Sequence, residues 1–492
     1  MAVALQDGEL LEMRQLVGGQ WSEPNGSSFF SINPSTGEPL QELKSSSEAD
    51  VEAAIDSAQQ AFRDFSKMAP RRRARMLLAF DALLEKHAAD LVALLGDETG
   101  KPTWEAEAEV NYARTYSWWY VGEVERSGAG TTVPSATEPA GVQTFLTIKQ
   151  PIGPVALLLP WNFPIVLCVR KVVSALAAGC TCVIKPSPET VLCTLAVVRL
   201  LERAGFTGGI VNCVIASNDT TPEVGKKLCE DARIKKVSFT GSTSVGRLIM
   251  AQCAPRLKKL TLELGGLGCL IVFSDADLQL ALDGLIANRL RHAGQTCVAA
   301  QRVFVHASVF DDFLALLVRQ VQERIDKQAL GPLQTARGAD KAIRHIDDAV
   351  RHGATRIDFR SSARTHAFQA SGFFVAPVVL TGCTRDMLVY QEESFAPLFC
   401  LSTFDTEQQV LARANDETDM GLSSFVYSRD HDRLWRMYEG LNVGNVGFNT
   451  ANTTSAEIPF GGLNQSGQGK EGGIGAGMDE YLVTKSATVR RT

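Results

Sequence analysis

Paired cysteines are the first thing missing. The eleven cysteines are an odd number, none forms a CxxC pair, and several sit inside apolar runs such as Cys180-Thr181-Cys182-Val183-Ile184. This pattern excludes a disulfide framework and fits a reducing, cytoplasmic setting. Histidine is scarce: the seven present have no metal-ligand spacing, so no metal site is expected. Basic charge is not in excess, and a net charge of -6 leaves no footprint for nucleic acid. Long uninterrupted apolar runs are absent too. The most apolar stretch, Pro154 to Val169, carries Trp161-Asn162 and three prolines, which rules it out as a membrane span. Asp7 and Glu9 stand where a secretory signal needs basic residues, so no export leader is expected. No internal repeat appears, which excludes a solenoid.

What is present describes a soluble globular chain, 45% hydrophobic and 21% charged over 492 residues. That length is too great for one ordinary core, so two large domains with smaller additions are expected. An alanine-rich helix is predicted from about Glu48 to Phe65. A second helix is predicted to carry Leu77, Phe80, Leu84, Leu91 and Leu94 on one face as far as Gly100. Strand signals at Val142 to Ile148 and Val155 to Leu159 are followed by strand–helix alternation through Thr240, the pattern of a parallel sheet with helices on its faces. In such sheets a ligand sits at the C-terminal ends of the strands. Two strand ends are notable. Gly241-Ser242-Thr243-Ser244-Val245-Gly246 opens a helix whose backbone N–H groups suit a pyrophosphate, although it lacks the middle glycine of the dinucleotide fingerprint and a plain tight turn reads as well. Lys185-Pro186-Ser187-Pro188 offers a lysine for ribose hydroxyls, or simply an exposed loop lysine. A further strand at Cys269 to Phe273 and a helix from about Asp275 to Arg291 lead into His292-Ala293-Gly294-Gln295-Thr296-Cys297. A cysteine on such a turn is a nucleophile candidate, since a substrate can reach it and neighbouring N–H groups can face the oxygen of whatever it attacks.

Seven separate matches, in one order, resemble the aldehyde dehydrogenase superfamily: Pro160-Trp161-Asn162-Phe163-Pro164, the Lys185 loop, Phe239-Thr240-Gly241-Ser242, Leu262-Glu263-Leu264-Gly265-Gly266, Gly294-Gln295-Thr296-Cys297, Glu392-Glu393-Ser394-Phe395 and Pro459-Phe460-Gly461-Gly462. The resemblance spans about Asn33 to Tyr481. It implies an α/β fold with a Rossmann-type cofactor domain (1–130 and 151–264), an α/β catalytic domain (265–462) and a small β oligomerisation element (131–150 and 463–492). It also implies a homodimer or homotetramer in which the C-terminal tail pairs across subunits with the strand near Val142 to Ile148.

The same resemblance implies oxidation of an aldehyde to a carboxylate with NAD or NADP. Cys297 is then the nucleophile, Glu263 the general base and Asn162 an oxyanion donor, with the Cys297 N–H as the second. Trp161, Lys185, Ser187, Gly241, Ser242, Gly246, Glu393 and Phe395 fall at cofactor-contacting positions. Pro188 stands where NAD-preferring relatives often carry a glutamate, which leaves both cofactors open. Retention of Glu263 favours hydrolysis over acyl transfer to coenzyme A. Arg170 and Arg291, with Thr454 beside Ser455, match positions where succinate-semialdehyde dehydrogenases hold the substrate carboxylate. A semialdehyde is therefore the expected substrate. The alternatives are an uncharged aliphatic or aromatic aldehyde, or a non-catalytic binding protein on the same fold. Ala299 stands where some semialdehyde enzymes have a redox-switch cysteine, so that regulation is not expected.

Overall fold

A computed structural model of the chain describes residues 5–126, 130–136, 143–359 and 372–490. The alternation read from the sequence is realised in two parallel sheets. In the first, β1 (Val155–Leu158), β2 (Cys182–Lys185), β3 (Val211–Cys213), β4 (Lys236–Thr240) and β5 (Lys259–Glu263) lie in the order β3-β2-β1-β4-β5. Antiparallel strands Gln15–Val17 and Gly467–Gln468 cover its two edges. The second sheet is built on β6 (Cys269–Val272), β7 (Arg302–His306), β8 (Val378–Thr381), β9 (Leu398–Phe404), β10 (Ser423–Tyr427) and β11 (Asn445–Phe448), in the order β8-β9-β7-β6-β10-β11. Val, Ile, Leu and Phe dominate these strands, as burial on both faces requires.

Helix α1 (Pro164–Ala178) follows β1 directly. Pro164 stands at its first turn, where a missing N–H costs nothing, and Gly179 ends it with φ of 94°. Every residue of α1 is buried, including Arg170 and Lys171. A helix with no solvated face must pair its charges inside the protein. Helix α2 (Thr243–Cys253) is capped by Ser242, whose hydroxyl accepts from Val245 N at 3.4 Å. Helix α3 (Leu278–Leu290) leads to the cysteine turn, and α4 (Ala336–Arg351) packs beside the Glu392–Phe395 loop.

Near the N-terminus the Glu48–Phe65 helix has the predicted bounds. A capping box formed by Ser47 and Asp50 sets its start. The predicted long second helix is instead two, Pro70–Lys86 and Ala88–Thr99, parted at His87. Asp90, in the first turn of the second piece, accepts from Gln6 N at 2.6 Å and lies 3.7 Å from His87 Nδ1. The break gives the incoming chain a docking point, which a continuous apolar face did not reveal.

The C-terminal tail departs from expectation more sharply. Leu482–Arg490 pairs antiparallel with Gln143–Pro151 of its own chain, from Leu482 opposite Pro151 to Arg490 opposite Gln143. The expected pairing across subunits is corrected accordingly. Two contacts set the two strands side by side: Ile152 N donates to Tyr481 O at 3.0 Å, and Lys149 Nζ meets Asp479 at 2.7 Å. Val142, the predicted start of that strand, lies outside the described residues. Among the described residues, no helix is long and apolar enough to cross a membrane.

Candidate active site

The C-terminal ends of β4 and β5 face the segments that lead into β6, β7 and β9 of the second sheet across a cleft of about 540 Å³. Trp161, Asn162, Gly241, Ser242 and Glu263 line one wall, and Cys297, Lys341, Glu393 and Phe395 line the other. Cys297 reaches the cleft through a turn in which His292, Ala293 and Gly294 all hold positive φ, at 47°, 50° and 77°. Left-handed backbone is costly for residues with a Cβ, and it is stabilised here by Glu105, which accepts from His292 N at 2.8 Å. Gly294 is required on a second count, because a Cβ there would lie 2.3 Å from Ala396 O.

All eleven cysteines are free thiols, and Cys297 is the one that is not buried. Its Sγ lies 3.0 Å from Glu263 Oε1. Desolvation, with the charge of Glu263 added to it, pushes this thiol well above its usual range, so the resting pair is a thiol donating to a carboxylate. The other oxygen of Glu263 accepts from Thr240 Oγ1 at 3.1 Å and from Arg170.

Asn162 Nδ2 donates to Gln295 O at 3.1 Å, within the cysteine turn, while its Oδ1 has no partner among the described residues. The Cys297 N–H donates to no backbone carbonyl among the described residues. Two residues that the motifs did not mark hold Asn162 in place. Lys101 Nζ donates to Asn162 O at 2.6 Å and pairs with Glu109, whose carboxylate also takes the Ile165 N–H at 2.9 Å at the start of α1. Glu105 and Glu109 sit on the buried face of helix Thr103–Glu123 between Ala106, Val110 and Ala113. Acids on an apolar helical face were the available signal.

The cofactor-binding candidates divide into two groups. Gly241 and Gly246 allow close approach: a Cβ at Gly246 would lie 2.5 Å from the Leu264 side chain, and one at Gly241 would lie 2.4 Å from the Phe239 ring. The start of α2 is thereby seated tightly against the strand ends, with Ser242 in the cleft wall. Glu393 accepts from Gly266 N at 3.2 Å, and burial pushes its carboxyl up to about 7. Lys341 Nζ donates to Glu393 O at 2.6 Å, and Phe395, at φ of 53°, sets its ring edge-on to Trp161 at 5.7 Å. Lys185 and Ser187 lie behind the wall. Both are buried, Lys185 Nζ turns to Pro186 O at 2.9 Å, and burial lowers its ammonium to about 8. Ser187 bonds Glu189, and it is Glu189 that lines the cleft. A cleft of this volume with a helix N-terminus and the Glu393 carboxylate in its walls has donors and acceptors suited to a nucleotide.

The four substrate-binding candidates do not converge. Arg291 is half-buried, lies 4.7 Å over the Phe163 ring and makes no ion pair among the described residues. It lines a second cavity of about 240 Å³ together with Thr296 and Val298, the two neighbours of Cys297, and with Asn452. Arg170 is instead engaged with Glu263 and Glu471. Thr454 bonds Asn452 within its own loop at 3.1 Å, and Ser455 bonds Glu457.

A thiol, a carboxylate in contact with it and an amide donor in the same cleft can together form and release an acyl group on sulfur. Comparison with known proteins agrees. Residues 21–487 match the aldehyde dehydrogenase family. A probable NADP-dependent succinate-semialdehyde dehydrogenase of Sinorhizobium fredii is 41% identical, with 93% of this chain and 92% of that one covered. The NADP-dependent succinate-semialdehyde dehydrogenase of Saccharomyces cerevisiae is 38% identical, covering 99% and 97%. The crystal structure of succinate-semialdehyde dehydrogenase from Burkholderia pseudomallei superposes with a TM-score of 0.93 at 39% identity, covering 99% and 100%. By its sequence, its fold and this site, the chain belongs to the aldehyde dehydrogenase family.

Proposed function

We propose that the protein oxidises a semialdehyde, an aldehyde with a remote carboxylate such as succinate semialdehyde, to the corresponding acid with NAD or NADP as acceptor. The contact between Cys297 Sγ and Glu263 Oε1 carries the catalytic part of this reading. As sulfur adds to the carbonyl carbon, Glu263 takes the thiol proton and the carbonyl oxygen becomes an anion. Asn162 Nδ2, turning from Gln295 O, and the Cys297 N–H meet that charge. A bound nicotinamide would supply the acceptor for the hydride on the adduct carbon. Glu393, Ser242, Trp161, Phe395, Lys185, Ser187, Gly241 and Gly246 are the residues proposed to hold or shape the place of the dinucleotide. Loss of hydride leaves a thioester on Cys297; Glu263, after passing the thiol proton to solvent, deprotonates the water that attacks the acyl carbon, and the C–S bond breaks to return the sulfur. Aldehyde and water thus leave as a carboxylic acid.

The substrate class rests on Arg291. A half-buried guanidinium that makes no ion pair among the described residues, in a cavity lined by both neighbours of the nucleophile, suits a carboxylate brought by the substrate. Thr454 and Ser455 are proposed to complete that end from the neighbouring loop. Cytoplasmic residence is supported by the free thiols. Assembly as a homodimer or homotetramer is supported by Phe145, Leu146, Ile148, Val483 and Val489, exposed on the sheet that Thr132–Pro134, Gln143–Pro151 and Leu482–Arg490 form. The cofactor domain (1–130 and 151–264) gives way to the catalytic domain (265–462) at 264, with 131–150 and 463–492 as the bridging element. The test is reduced-cofactor formation with succinate semialdehyde and with butanal, each supplied with NAD and with NADP. Preference for the acidic aldehyde is expected. Equal or better use of butanal would instead favour an enzyme of uncharged aldehydes.

A further inference from the structure

His292, at the start of the cysteine turn, combines two costly features. It is fully buried with φ of 47°, and neither nitrogen of its ring has a partner among the described residues. Burial, with the charges of Lys101 and Arg291 added to it, holds the imidazole well below its usual range, so the ring is neutral. Its main chain is engaged on both sides. Glu105 accepts its N–H at 2.8 Å, and its carbonyl accepts from Gln295 N at 3.0 Å and from Gln295 Nε2 at 3.1 Å. What remains is the ring as a packing surface. It meets the Phe163 ring edge-on at 5.6 Å and the Trp161 ring at 6.1 Å. Those two residues flank Asn162 in the chain.

Asn162 and Cys297 belong to segments of different sheets, the first following β1 and the second preceding β7. Both must serve one oxygen. A donor is effective only at about 2.7–3.1 Å from the place of the oxyanion, and a misplacement of about 1 Å can cost on the order of 100-fold. Lys101 fixes the Asn162 segment from one side, holding the Asn162 carbonyl at 2.6 Å and lying 4.2 Å over the Phe163 ring. From the cysteine turn, the His292 ring reaches both neighbours of Asn162. We propose that His292 is a positioning residue for Asn162, its ring serving as a packing edge and not as an acid or base. It sets the Trp161–Phe163 segment against the cysteine turn so that Asn162 Nδ2 can reach the oxygen on the carbon that Cys297 attacks. The inference rests on the reading of Asn162 as the oxyanion donor.

The test uses full-length wild type, H292N, H292F, N162A and the double variant H292N/N162A. Asparagine keeps the tolerance for left-handed backbone and removes the ring, whereas phenylalanine keeps a ring and removes both nitrogens. The readouts are kcat for whichever of succinate semialdehyde and butanal the wild type turns over faster, thermal stability, and the rate of Cys297 alkylation by iodoacetamide located by peptide mapping. H292N should lower kcat by about tenfold, the scale of two lost ring contacts, while the alkylation rate stays unchanged. In the N162A background the same substitution should lower kcat no further. H292F should recover most of the loss. An equal fall in both backgrounds, a slowed alkylation, or an H292F variant no faster than H292N would overturn the proposal. Should H292F fail to fold, the comparison of backgrounds decides alone: a fall confined to proteins that keep Asn162 supports the proposal, and an equal fall or none refutes it. Wild-type kcat in N162A would sink the oxyanion assignment itself, whatever the His292 variants do.

Discussion

Replacing Arg291 by alanine probes substrate choice at a single side chain. The guanidinium makes no ion pair among the described residues, although its charge reaches buried Glu105 at the cysteine turn, so a neutral aldehyde is needed as the control. A hydrogen-bonded charge pair of this kind contributes about 1.5–3 kcal/mol, which converts to a loss of about 10- to 150-fold in kcat/KM. The substrate must carry a carboxylate to feel it. Arg291 also covers the Phe163 ring at 4.7 Å, a contact that every aldehyde would share. The assay is therefore a ratio: kcat/KM for succinate semialdehyde over that for butanal, in wild type and R291A. The ratio should fall by about 10- to 150-fold. A ratio that stays constant while both values fall would show that Arg291 only shapes the Phe163 wall, and the semialdehyde reading would lose its main support.

Other outcomes follow from the same geometry. N162A removes one donor to the developing oxyanion and should lower kcat by about 100-fold or more, with little change in cofactor affinity measured by fluorescence titration. G294A places a Cβ 2.3 Å from Ala396 O on a residue at φ of 77°, so both thermal stability and Cys297 alkylation rate should fall together. Glu98 is buried, and desolvation raises its carboxyl from 4.5 to about 7. Because the folded state holds that proton more tightly than the unfolded chain, stability from this group is present at low pH and is lost as pH rises from about 4.5 through 7. The melting temperature of E98Q should consequently decline less than that of wild type across this window; parallel pH profiles would show that Glu98 carries no such linkage.

Local patterns were legible in the sequence wherever the determinant is local. The Glu48–Phe65 helix carries its own capping box, and the strand–helix alternation from Val155 onward is written in the apolar runs. The cysteine turn could be placed because a glycine and the end of a helical pattern precede it. What escaped depends on partners distant in the chain. Lys171 and Glu471 are 300 positions apart, and nothing near Arg170 announces that two acids will claim it. Lys101 and Glu109 support Asn162 from a helix that otherwise reads as scaffold. The tail alternates like a strand, but its pairing with Gln143–Pro151 of the same chain depends on the route past Tyr481. The His87 break was hidden by apolar spacing that continues through it.

The central claim is that Cys297 carries the acyl group and Glu263 activates the water that removes it. Mass spectrometry of E263Q after mixing with succinate semialdehyde and the oxidised cofactor tests this most directly. The account predicts one equivalent of reduced cofactor at most, slow or absent further turnover, and a succinyl group mapped to the peptide containing Cys297. Sustained turnover by E263Q with no adduct on that peptide, or an active C297S variant, would contradict it.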